Sequence, residues 1–79
     1  MILVKVTQED IDNGWQFEGY ACPIAIALTR ATGMPWCVCN EKAGNEDVGM
    51  IELPFDARVF IEAFDRGEVV QPFQFPIEV

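Results

Sequence analysis

The sequence predicts a small α+β domain, and three observations carry that expectation. β-branched residues dominate residues 1–6, and apolar residues alternate with a period of two in residues 73–79. Residues 23–32 form a short, almost uniformly apolar segment with a proline at its start and a glycine just beyond its end. The chain has 79 residues, enough for one core and no more. A chain of this size should keep about 4,800 Å² of surface exposed when folded, against roughly 12,900 Å² unfolded. Its stability should be on the order of 8 kcal/mol.

Taken in order, residues 1–6 read as a strand with Ile2, Val4 and Val6 on one face. Thr7 followed by Asp10 has the spacing of a helix N-cap with an acidic residue at its third position. One short helical turn follows, and Asn13-Gly14 ends it. Residues 15–21 are irregular and hold three aromatics, Trp15, Phe17 and Tyr20. The helix at 23–32 should be central: Ile24, Leu28 and Ala31 make a stripe, Ala25, Ile26 and Ala27 widen it, and Gly33 suits a left-handed C-terminal position.

Residues 34–39 and 48–53 read as two strands of an antiparallel hairpin, joined by a polar loop at 40–46. Pro54 breaks the second strand, and Asp56 is positioned to cap a helix over 56–65. On that helix Val59, Phe60, Ala63 and Phe64 face inward, whereas Arg58, Glu62, Asp65 and Arg66 face water. Gly67 ends it. In the last extended segment, 69–79, Pro72 and Pro76 cannot donate to a ladder, so the strand belongs at an edge. The expected architecture is a four-stranded, largely antiparallel sheet with two helices on one face, ferredoxin-like or a rearranged sandwich.

Composition narrows the chemistry. Thirteen acidic against five basic residues give a net charge of −8, which disfavours direct binding to nucleic acid. An apolar fraction of 51% argues against a disordered tail. The absence of an 18-residue apolar run and of a signal-like leader points to the cytoplasm and away from membranes. Cys22, Cys37 and Cys39 do not make a disulfide framework, and a closed zinc site usually wants four ligands where this chain has three cysteines and no histidine. Cys37 and Cys39, two apart on a strand, are expected to fill a core or half-buried face. No metal site, cofactor or catalytic set is expected: histidine is absent, no glycine-rich phosphate loop follows a strand, and the adjacent carboxylates Glu9, Asp10 and Asp12 suit a solvated helix start.

Some groups invite a ligand. Cys22 stands at a helix N-terminus, a place that lowers a thiol pKa and also receives anions, the role of a small buried hydrophobe before Pro23 being favoured over both. Arg30, on a buried helix, needs either an internal carboxylate or a ligand phosphate, the internal partner being favoured. Trp36 and the aromatics at 15, 17 and 20 can stack on a base, fill a protein groove or pack in the core.

Taken together, three sets of residues resemble a family of small bacteriophage and bacterial proteins. They are 7–14 (TQEDIDNG), 22–28 (CPIAIAL), and 60–67 (FIEAFDRG) with 72–75 (PFQF). The resemblance implies no catalytic motif. It implies a compact anti-defence protein that sequesters a nucleotide-derived immune signal without cleaving it. In that role Arg30, Arg66 and the N–H groups at the Cys22 helix end would meet phosphates, while Tyr20 and Trp36 would stack on the base. The alternatives are an acidic inhibitor that binds a host defence protein, and a phage accessory protein with no inhibitory role. A homo-oligomer is expected in any case, because Trp15, Phe17, Phe73 and Phe75 are hard to bury within one small core.

Overall fold

The computed structural model describes residues 1–78 and holds eight elements. They are β1 (Ile2–Val6), α1 (Gln8–Asn13), α2 (Pro23–Thr32), β2 (Cys37–Cys39), β3 (Lys42–Asn45), β4 (Gly49–Glu52), α3 (Phe55–Asp65) and β5 (Phe73–Ile77). The class is α+β as expected, with three helices and antiparallel pairing throughout. The single four-stranded sheet is not what forms. Among the described residues β1 pairs only with β5, and β2-β3-β4 make a separate three-stranded meander.

The difference arises at residues 40–46. They are polar, so the sequence reads them as a loop, yet residues 42–45 are the middle strand of the meander. Ala43 supplies their whole apolar contribution. It is fully buried between Val38 and Ile51, its two cross-strand partners. A tight turn at Asn40, whose φ of 34° asparagine tolerates, replaces the long loop.

The capping signals of α1 and α2 hold in detail. Thr7 Oγ1 accepts from the Asp10 N–H at 3.2 Å and the Thr7 N–H donates back to Asp10 Oδ2 at 2.9 Å, a closed capping box on α1. α2 begins at Pro23 and ends at Gly33, whose φ of 75° only glycine adopts without strain. α3 departs from expectation at its start. Pro54 is the N-cap, and Asp56 lies inside the first turn, where its charge favours the helix dipole without capping it. Its inner face is Ala57, Phe60 and Ile61, whereas Val59 is exposed.

α2 is central, in contact with β1, α1 and β2. Ile24, Ala25, Ala27 and Leu28 disappear from solvent against Val4, Val6, Phe75 and Ile77, the inward positions of β1 and β5. α3 joins this core through Phe60, whose ring stacks on Phe73 at 4.9 Å between centroids. Pro76 sits in β5 opposite Leu3, on a strand whose other edge is unpaired, as its missing N–H requires. Val79, the end of the segment read as extended, lies outside the described residues.

One close approach sets the path from α1 to α2. A β-carbon on Gly14 would lie 2.5 to 2.8 Å from the Cδ, Cγ and backbone N of Pro23. Gly14→Ala is therefore expected to destabilise by about 1–3 kcal/mol through overpacking, read as a lowered urea midpoint at unchanged m-value.

Candidate functional site

The loop that follows α1 is short of regular structure and yet firmly held. The Trp15 N–H bonds the Ala21 carbonyl at 2.9 Å, closing its base. Gln16 Nε2 donates to the Phe64 carbonyl at 3.0 Å, satisfying the C-terminal end of α3. The Phe17 N–H donates to Asp65 Oδ1 at 3.0 Å, and the Gly19 carbonyl accepts from the Val38 N–H of β2 at 2.8 Å. Phe17 carries a φ of 59°, strain of about 1–3 kcal/mol for an aromatic residue, which these anchors must hold.

What the loop presents is apolar. Trp15, Phe17 and Tyr20 are 69%, 77% and 75% exposed. Beside Phe17 and Tyr20 runs a groove that Cys22, Cys37, Cys39 and Asp65 also border. Glu18 borders it too, so its rim is acidic. A second hollow shares Tyr20 and Cys37 and is edged by Glu46, Asp47 and Met50.

Of the five residues singled out from the sequence, Tyr20 and Cys22 meet in this groove and the other three do not. Arg30 is engaged internally. Its two terminal nitrogens contact Asp10 Oδ1 and Oδ2 at 2.7 and 2.6 Å, and Nη2 also donates to the Lys5 carbonyl at 2.7 Å. Burial alone would raise the Asp10 carboxyl; the Arg30 fork and the Thr7 N–H outweigh it and hold the group below its ordinary range. Trp36 is buried at 1% exposure with its indole N–H on Thr32 Oγ1 at 2.8 Å, so it has no free face for a base. Arg66 is exposed and contacts Glu68 at 2.7 Å and Glu62 at 3.7 Å.

Cys22 takes the buried structural role rather than that of a reactive thiol: it caps α2, its sulfur accepting from the Ala25 N–H at 3.4 Å, and burial pushes its pKa up. Cys37 takes the half-buried position expected of it, whereas Cys39 does not, and neither fills the core. Val38 between them points inward, which turns both cysteines to the outer face of the meander, Cys37 half-buried and Cys39 exposed. The Cys37 sulfur lies beside the Tyr20 hydroxyl and, through its charge above all, raises that phenol's pKa.

Arg58 was assigned to the wet side of α3 and is in fact half-buried. It borders a shallow hollow with Asn40, Glu41, Phe55, Val59 and Glu62, and its Nε is enclosed without a protein partner among the described residues. The neighbouring Val59, expected inward, is exposed, so this face of α3 is turned differently from the sequence reading. Among the described residues no group of three or more His, Cys, Asp or Glu side chains is placed to hold a metal ion, and no helix is long and apolar enough to cross a membrane. No protein-family model, curated protein or solved structure matches the chain.

Proposed function

We propose that this protein is an acidic interaction module that docks on a basic surface of a host protein through residues 15–20. In this reading it acts stoichiometrically in the cytoplasm of an infected bacterium and catalyses nothing. The observation that carries the reading is the pinned loop: three large aromatics are held in solvent by a strained backbone with four tertiary or base-closing hydrogen bonds. Rigid, exposed Trp and Tyr residues are the usual anchors of protein interfaces, and they lose little conformational entropy on docking. The carboxylates of Glu18, Asp65, Glu46 and Asp47 around them match a positive partner and would speed its association.

The test compares capture from host lysate by the wild-type protein and by a Trp15→Ala/Phe17→Ala variant, at low and then high salt. A partner that is released by salt and bound at least about thirtyfold more weakly by the variant supports the proposal. Both substitutions remove exposed side chains, so the variant's stability should stay within about 0.5 kcal/mol of wild type. Equal capture by both proteins would exclude the loop. A dimer in native mass spectrometry that the same substitutions disperse would place a second copy of this chain there instead.

Sequestration of a nucleotide-derived signal is the second reading, and Arg58 is the observation that favours it. Its partnerless Nε in the α3 hollow, next to exposed Phe55, offers a phosphate one cation and a base one ring. Glu41 and Glu62 on the same rim oppose an anion, which places this reading behind the first. Incubation with cyclic nucleotides and ADP-ribose derivatives, followed by denaturation, should return intact ligand if it holds. Depletion of none of them would end it.

A further inference from the structure

The outer face of the meander gathers sulfur. Cys37 and Cys39 flank the inward Val38, so their side chains share the solvent face of β2. Cys37 and Cys39 both border the groove beside Tyr20. The register then places Gly44 opposite Cys37, and Met50 opposite Gly44, so all three lie in one row across the sheet on that same face. Gly44 leaves the middle of the row empty, and the Met50 thioether occupies it: a β-carbon on Gly44 would come within 2.5 Å of Met50 Sδ. Cys37, Met50 and Tyr20 accordingly border one hollow.

We propose that Cys37, Cys39 and Met50 form a binding site for a soft monovalent ion, Cu(I), on the solvent face of the meander, with Tyr20 covering it. Two thiolates and a thioether are donors that select this ion over harder ones. Zinc and iron–sulfur clusters ordinarily take four ligands and would be left short. A disulfide between the two cysteines is disfavoured, because residues two apart on a strand stand about 6.6 Å apart and a disulfide needs β-carbons within about 4.5 Å. A bridging ion spans a wider gap than a direct S–S bond. Binding is a proton exchange with no change of oxidation state. Each thiol releases its proton as its sulfur bonds the ion, the thioether contributes a lone pair, and the site gains one net negative charge. Lys42, paired in register with Cys39, stands where it can offset that charge. The site does not depend on the docking proposal, although both use Tyr20.

The reduced full-length chain, kept anaerobic, is titrated with Cu(I) supplied as its acetonitrile complex against the competing chelator bicinchoninate. Native mass spectrometry should show one ion per chain, and X-ray absorption a first shell of sulfur alone. Cys37→Ser should abolish the site. Met50→Leu, which conserves volume, and Gly44→Ala, which displaces the thioether, should each weaken binding by about tenfold or more. Met34→Leu, a thioether outside the row, should bind as wild type does, and circular dichroism should show every variant folded. Undiminished affinity in both Met50→Leu and Gly44→Ala would overturn the proposal. So would one ion shared between two chains, or Zn(II) displacing Cu(I) at equal concentration.

Discussion

Arg30→Ala is expected to cost about 2–3 kcal/mol at neutral pH, a fall of about 10–20 °C in Tm for a domain of this size. The asymmetry of the pair sets the figure. Asp10 is 2% exposed while Arg30 is 49% exposed, so deleting the arginine strands a buried carboxylate that the Thr7 N–H alone cannot satisfy. Loss of a fully buried partner would cost about 3–5 kcal/mol, and solvent access on the arginine side reduces it. The pH dependence separates this from a packing effect. In the wild type the Asp10 pKa is depressed, so its stabilisation is complete above about pH 4 and is lost as pH falls through the lower folded value. In Arg30→Ala burial is no longer outweighed and the pKa rises, so acid relieves the variant while it weakens the wild type. The difference between the two should be greatest near pH 7 and shrink toward pH 4 in urea titrations. A difference that stays constant with pH would show that Arg30 contributes through its methylenes.

Trp36→Ala should be more damaging, about 3–5 kcal/mol, because it empties the largest fully buried side chain of the core. Much of the stability expected of 79 residues would be gone. Thr32→Val isolates the polar part of that contribution. Thr32 Oγ1 accepts the indole N–H at 2.8 Å and donates to the Leu28 carbonyl at 2.8 Å, so the valine leaves a buried N–H without a partner, at about 1–3 kcal/mol. Fluorescence reads both sites at once, since Trp15 is exposed and Trp36 is not. Acrylamide should quench the wild type in two components, and Trp15→Phe should remove the accessible one while leaving the thermal transition in place.

What the sequence disclosed is what local chemistry decides. Thr7 with Asp10, Pro23 with Gly33, and the alternation of Phe73, Phe75 and Ile77 are each complete within a few residues, and each appears where the pattern placed it. The middle strand of the meander was hidden, because Lys42, Gly44 and Asn45 are poor strand formers and Ala43 is a weak hydrophobic signal. Pairing on both edges overrides that poor propensity. The candidate site was harder still. Arg30 and Trp36 carry the right chemical groups for a ligand, but Asp10, twenty residues away, and Thr32 consume them. The loop at 15–21 reads as irregular because its anchors, Val38, Phe64 and Asp65, are distant in sequence. Its aromatics were visible, their exposure was not.

The pairing of β1 with β5 also constrains when the protein can fold. Ile2 faces Ile77 across the ladder, so β1 cannot pair until residues 73–77 have left the ribosome. Until residues 73–77 emerge, Val4, Val6 and the inner side of α2 lack the cover that Phe75 and Ile77 provide. The meander closes through contacts only a few residues apart and has no such wait. Synthesis therefore yields a nascent chain whose meander is ready to pair early, while β1 stays sticky and open to capture by other chains. Slowing translation of residues 53–77 should lengthen that exposure and lower the soluble yield without altering the mature fold.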